Sequence, residues 1–261
     1  MALRGYTLLF RVLGFTEEIT GEGYLLVRKQ LHHLWLNWKK NNIVADEEEL
    51  RFEQLVEMFY TEFGFSGNWQ DYFNSDNLLL PKVMDSHSGN STALAILFIY
   101  FARKFDLDID PISFPSQLIL LVDSPKGGFY FDPFTGKVVS KAELELKLRG
   151  IKGNLTVLEP KYLEAISSKQ FVKRWLMEIK AGFIREENFE SALKVCAVLL
   201  KLKPGDPDEV RDRGFIYQQL ECFNMAISDY EYFIDQRPDD PLSKILKHQI
   251  TELDSQALTL H

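Results

Sequence analysis

Two periods of hydrophobic and polar positions run along this chain. Between residues 24 and 40, Val27, Leu31, Leu34, Trp35 and Trp38 recur every three or four positions, which predicts an amphipathic helix. Lys39 and Lys40 close it where the helix dipole favours cations. Asp46 is placed to cap a second helix from Glu47 to about Phe63, with Leu50, Phe52, Leu55, Met58 and Phe59 inward. An aromatic, loop-rich stretch follows from Gly64 to Asn77, then a short helical or extended piece through Val83. Ser86 to Ser91 is turn chemistry, and it opens a helix from Ser91 to about Phe105 that is apolar nearly all round. Such a helix belongs in the centre of a domain. Leu118–Val122 and Gly128–Phe131 predict strands, joined by a hairpin-like turn at Ser124-Pro125-Lys126-Gly127. Asp132-Pro133-Phe134-Thr135-Gly136 ends the second of them.

From about residue 163 the pattern is helical, and it repeats. Phe189 matches Phe223, Ala192 matches Ala226, Pro204 matches Pro238 and Pro207 matches Pro241, each pair 34 residues apart. That is the period of the tetratricopeptide helix-turn-helix unit. The second unit resembles the motif at Gly214, Tyr217, Ala226, Tyr230, Phe233 and Pro238. The first keeps Phe183, Ala192, Leu199 and Pro204 but has Lys180 where the glycine belongs. Leu242 to Leu253 would form a terminal helix covering the open apolar face. The resemblance implies a peptide-holding concave side with Asp208, Arg211, Phe215 and Gln218 on it.

Composition adds limits. With 46% hydrophobic and 26% charged residues over 261 positions, the chain can bury a sizeable core. The net charge is −8, unevenly spread: residues 1–44 hold six Lys/Arg against three Asp/Glu, leaving −11 for the remainder. An acidic main body opposes nucleic-acid binding. Cys196 and Cys222 both fall in helical patterns and read as buried small apolar residues, not as a disulfide framework or a zinc site. No metal site and no cofactor is expected, since the histidines lack ligand spacing and no phosphate-cradling glycine loop is present. The longest apolar run, Ala93 to Ala102, is half of the ~20 residues that span a bilayer. The N-terminal apolar stretch is cut by Arg11 and followed by Glu17 and Glu18, unlike a signal peptide. These features predict a cytoplasmic protein without membrane contact.

The middle of the chain is similar to the transglutaminase-like superfamily. The resemblance rests on Asn77-Leu78-Leu79-Leu80, Gly89 with its apolar helix, Ile112-Ser113-Phe114-Pro115 and Asp132-Pro133-Phe134. With Arg211-Asp212-Arg213-Gly214 and Pro238-Asp239-Asp240-Pro241 added, it resembles most the bacterial SirB/YchA-type family, over about residues 45–253. The fold this implies is α+β: a central helix on a small antiparallel sheet, then an all-α tetratricopeptide part. The expected domains are residues 1–44, a helical segment packing on the core, residues 45–160, the transglutaminase-like domain, and residues 161–261, the helical repeat.

Active members of the superfamily use a cysteine at the start of the central helix, a histidine on the next strand and an aspartate on the strand after it. Here those positions fall on Ser91, Gln117 and Asp132. An amide carbonyl is far too weak a base to activate a nucleophile, so thiol chemistry of this type is excluded. Each residue also has a structural role open to it: Ser91 as a helix cap or first-turn residue, Gln117 bonding a neighbour's backbone, Asp132 making an Asx turn. His87, four residues before Ser91, offers the remaining route to a serine-dependent hydrolase or acyl-transfer enzyme. The favoured reading is a non-catalytic regulatory or scaffold protein that binds a polypeptide partner through the degenerate transglutaminase-like cleft, the tetratricopeptide groove, or both. An architectural subunit of a larger assembly is the other alternative.

Overall fold

The computed structural model describes residues 3–21, 23–124 and 127–259, and the side chains of 7–21, 23–124 and 127–254. The chain divides into two compact units, Met1–Trp175 and Leu176–His261.

The first unit opens with a helix absent from the sequence reading, α1 (Leu3–Thr20). Leu8, Leu9, Val12, Leu13 and Ile19 form its buried stripe. Helix α2 (Tyr24–Asn41) follows, burying Val27, Leu31, Trp35 and Trp38 as the periodicity predicts. Its two tryptophans stack at 5.5 Å, and both lie against Phe105.

Helix α3 (Glu48–Val56) continues as a π-helical turn, Glu57–Glu62. Its N-cap is Glu47 and not Asp46, whose backbone carbonyl instead accepts a bond from Arg51. Leu50 stays 46% exposed, because the helix turns that position to solvent while Phe52 and Leu55 face inward. A short helix α4 (Leu80–Ser86) leads into the turn before the central helix.

Helix α5 (Ser91–Ala102) is buried at all twelve residues and runs on as a 3₁₀ turn through Phe105. Its Phe98 stacks on Phe131 at 4.9 Å and meets Phe59 and Phe52 edge-on. Each such fully buried apolar side chain contributes roughly 1.5–3 kcal/mol, so this helix anchors the unit.

Two short strands, β1 (Ser66–Gly67) and β2 (Ser88–Gly89), pair in parallel beside it. The main sheet is an antiparallel meander of β3 (Ile109–Ser113), β4 (Leu118–Val122), β5 (Phe129–Asp132) and β6 (Lys137–Val139), in that order. Only β4 and β5 were visible in the hydrophobic pattern. Strand β3 carries Asp110 and Pro111, and β6 has three residues, so neither produces a clear alternation. Pro125 and Lys126, at the tip of the expected β4–β5 turn, lie outside the described residues. The unit continues with α6 (Lys141–Lys152), whose start is a capping box made by Ser140 and Glu143.

The second unit is helical: the latter part of α7 (Ser168–Arg185), then α8 (Phe189–Leu202), α9 (Pro207–Gln219), α10 (Phe223–Gln236) and α11 (Pro241–Thr259). Ala226, Tyr230 and Phe233 of α10 form one core with Leu246 and Leu253 of α11, the terminal helix expected to cover the apolar face. At Gly214 an added Cβ would lie 2.9 Å from the Tyr230 ring and 3.0 Å from Asp229 Cβ, so α9 and α10 touch where only glycine fits. One thiol departs from expectation. Cys196 is buried, but Cys222, just before α10, is exposed, because it ends the inter-helix turn and does not face a core.

Candidate functional site

The start of α5 places the candidate site. Asn90 caps the helix, its side chain accepting the amides of Thr92 and Ala93. Ser91 is therefore a first-turn residue whose hydroxyl does not cap. Fully buried, its Oγ accepts the backbone amide of Leu118 at 3.2 Å and shares a hydrogen bond with the Tyr72 hydroxyl at 3.0 Å.

Gln117 lies in the bend just before β4. It does not reach for backbone: its Nε2 donates to Asp132 Oδ2 at 3.0 Å. Asp132, the last residue of β5 and 1% exposed, accepts the Phe134 amide on Oδ1 at 3.0 Å, the Asx turn expected from the sequence. Lys147 of α6 completes the group, its ammonium 3.2 Å from Asp132 Oδ2. Ser91 bonds the amide of Leu118 and Asp132 bonds the side chain of the preceding Gln117, so both are tied to the start of β4 through consecutive residues.

Tyr72 and Lys147 are the members that sequence reasoning missed. Tyr72 carried only the signal of an aromatic loop, and Lys147 is one of several cations on an amphipathic helix. Asparagines hold the loop that delivers Tyr72. The Asn68 side chain accepts the amides of Gln70 and Asp71 and donates to Asn77, while Asn77 donates to the Asp71 carbonyl. Asn77, 4% exposed, also accepts the Asn90 amide on its backbone carbonyl, which ties the loop to the cap of α5.

Above the buried polar group stands an aromatic row. Phe134 meets Trp69 at 4.6 Å and Tyr72 at 5.2 Å, and Tyr72 meets Phe73 at 5.2 Å. Trp69 and Phe73 are 74% and 60% exposed. Phe134 can lie there because residue 67 is glycine: a Cβ at that position would stand 2.6 Å from the ring. Beneath it, the half-buried Tyr60 donates to the Pro133 carbonyl at 2.7 Å. Burial, with the nearby Asp132 charge, holds its phenol well above the ordinary tyrosine range.

His87 serves a different purpose from a catalytic base. It takes the left-handed conformation after α4, bonds the Phe63 carbonyl through Nδ1 at 2.5 Å and stacks on Phe65. Among the described residues, no histidine bonds Ser91, Gln117 or Asp132. His32 and His33 are exposed neighbours on α2, and His248 pairs with Glu252 on the surface of α11.

In the second unit, the four residues assigned to a concave side lie along α9. Phe215 is 38% exposed. Arg211 bonds Asp208 and Asp212, and Asp208 also accepts from Arg237. Gln218 Oε1 accepts the Tyr230 hydroxyl and the Gln249 amide. The residue that replaces the first unit's glycine is structural: Lys180, 4% exposed, sits 2.6 Å from both Glu209 and Asp212. Burial works to lower its pKa, yet the carboxylates around it, Asp212 foremost, raise it above the ordinary lysine value. Burial pushes the adjacent Cys196 thiol up to about 12, so it is no thiolate nucleophile near neutrality.

The chain matches the transglutaminase-like superfamily over residues 26–177 and the tetratricopeptide repeat over residues 179–251. A UPF0162 protein of Vibrio cholerae is 41% identical over 218 residues, covering 82% of this chain and 80% of that protein. Protein SirB1 of Salmonella typhimurium is 34% identical over 222 residues, 85% of this chain and 82% of its own length. The UPF0162 protein YchA of Escherichia coli is 34% identical over 216 residues, 82% and 80% of the two chains. No solved structure matches.

Proposed function

Because the chain belongs to the SirB1/YchA family, a transglutaminase-like core followed by tetratricopeptide repeats, we propose that it is a non-catalytic regulatory or scaffold protein that binds a polypeptide. The observation that carries this reading is the state of the Ser91 hydroxyl. It is fully buried and bonded to the Leu118 amide and the Tyr72 hydroxyl, the amide of the preceding Gln117 is paired with Asp132, and among the described residues no histidine bonds it. A nucleophile needs a neighbour that takes its proton and a face open to substrate. Ser91 has neither here, whereas exposed Trp69 and Phe73 offer the aromatic surface on which polypeptides dock. The exposed Phe215 on α9, flanked by Arg211 and Asp208, supplies a second contact surface of the kind tetratricopeptide units use.

The test is crosslinking with mass spectrometry in the native cytoplasm, comparing wild type with Trp69→Ala/Phe73→Ala and with Phe215→Glu. The expected result is one defined polypeptide crosslinked to the wild type and lost from at least one variant that remains folded. A partner set unchanged in both folded variants would reject these surfaces. The alternative, a serine hydrolase using Ser91 with His87, requires His87 to leave the Phe63 carbonyl and the Phe65 ring. Labelling of Ser91 by a fluorophosphonate at neutral pH would establish it.

A further inference from the structure

We propose that the cleft between α1, α2 and the C-terminal end of α5 is a binding site for an organic anion, a phosphate-bearing group on a flat or aliphatic body. The cavity is ≈ 460 Å³ and is lined by Arg28, Lys29, His32 and Lys104 together with Phe10 and Tyr100. Leu9 and Leu25 complete the wall, and among the described residues no carboxylate contributes to it. Volume and lining are those of a small-molecule site, an apolar cavity with a few convergent polar groups.

Three observations separate this cleft from an ordinary solvated face. The first is charge. The protein carries −8 overall, yet among the described residues the cleft is lined by Arg28, Lys29 and Lys104 and by no Asp or Glu. An acidic protein that gathers cations around one concavity raises the local concentration of anions there. The second is how the cations are held. The Arg28 guanidinium lies 4.8 Å over Phe10 and 5.5 Å from the Tyr24 ring, and the Lys104 ammonium lies 5.4 Å over Tyr100. An aromatic face positions a cation without neutralising it, so the Arg28 charge stays available to a ligand. Among the described residues, no carboxylate pairs with Arg28 or Lys29.

The third is the apolar component. Leu25, 64% exposed, projects beside the cations at the rim of the cleft. Charge alone would bind inorganic phosphate weakly, whereas charge beside aromatic and leucine surface selects an anion with a body attached. Lys104 also sits at the C-terminal end of α5, where a cation stabilises the helix dipole. That role leaves Arg28 and Lys29, near the N-terminal end of α2, without explanation; the anion site explains all three.

The experiment is calorimetric titration of the full chain with ATP as a ring-bearing polyanion, adenosine as the uncharged ring and inorganic phosphate as charge without a ring. A flotation assay with phosphatidylglycerol or phosphatidylcholine vesicles runs in parallel. The expected result is saturable one-site binding of ATP, at least tenfold weaker in Arg28→Glu/Lys29→Glu and unchanged in Lys244→Glu. Adenosine and phosphate should each bind at least tenfold more weakly than ATP. Flotation with phosphatidylglycerol only, abolished by the same double variant, would identify a lipid headgroup as the source of the phosphate and also support the site. Should the double variant fail to fold, Lys29→Glu alone, at an exposed position, must still weaken binding. Absence of both ATP binding and phosphatidylglycerol flotation in the wild type would overturn the proposal, as would binding insensitive to the cleft variants.

Discussion

The hydroxyl of Ser91 accepts the backbone amide of Leu118 at 3.2 Å, joining the first turn of the central helix to the start of strand β4. Both groups are buried, so the contact is part of the packing of the core. Ser91→Ala should leave the Leu118 amide without its acceptor and remove the bond between Ser91 and the Tyr72 hydroxyl. The expected loss is about 1–3 kcal/mol, the cost of an unsatisfied buried donor. Urea denaturation measures it, and an unchanged midpoint would show that the hydroxyl bonds contribute nothing.

Lys180 is the second position where truncation should be costly. Lys180→Met would leave Glu209 and Asp212 facing each other without their shared cation. Breaking a buried pair on one side costs about 3–5 kcal/mol, with the lower end expected here because Asp212 is partly exposed. Adding Glu209→Gln to that variant should recover part of the loss, because one uncompensated charge disappears. Should the double variant melt below the single one, the ion cluster is not the cause.

Gly214→Leu tests the helix contact in the repeat. The new side chain must displace the Tyr230 ring and Asp229, which already lie about as close as a Cβ permits. Overpacking of this kind costs about 1–3 kcal/mol. Asp229 is held by two bonds from Arg213, so it has little freedom to yield. A thermal melt unaffected by the substitution would mean that α9 and α10 do not meet at residue 214.

Alkaline pH should weaken the protein, and Cys196 should set where the decline begins. The buried thiol titrates at about 12 when folded, against an ordinary value of 9.0. Its raised value favours the folded state fully below 9.0, and that contribution is lost as pH rises toward about 12. Tyr230, also raised by burial to about 12, and Lys180, held above its ordinary value, act with the same sign. Cys196→Ala should therefore flatten the first part of the alkaline fall in Tm. Native labelling with iodoacetamide at neutral pH should modify the exposed Cys222 and spare Cys196.

Much of this architecture was legible in the sequence. The stripe on α2, the apolar helix α5 and the 34-residue spacing each come from a period imposed by burial, and a period survives in one sequence. Helix α1 was missed because its buried residues come in adjacent pairs, Leu8–Leu9 and Val12–Leu13, in an apolar stretch that was weighed only as a possible leader. Strands β3 and β6 were missed for want of alternation. At the candidate site, the grouping of Gln117 with Asp132 followed from family resemblance, but the partners did not. Tyr72 reaches Ser91 across 19 residues, and Lys147 reaches Asp132 across 15; such contacts depend on loop paths that no local pattern encodes.

Helix α5 is buried at all twelve residues, even where Tyr100 borders the cleft beside α1 and α2. A rod enclosed in this way can neither slide nor rotate by a residue without emptying one set of pockets and overfilling another. Position 91 is therefore fixed in space by eleven residues that have no part in chemistry, whatever side chain it bears. A change of side chain there leaves the helix in place, and variation can act through the loops that arrive at this end: 64–77, 114–117 and 132–136. In a chain built this way, packing sets the geometry around position 91 independently of the chemistry of its side chain.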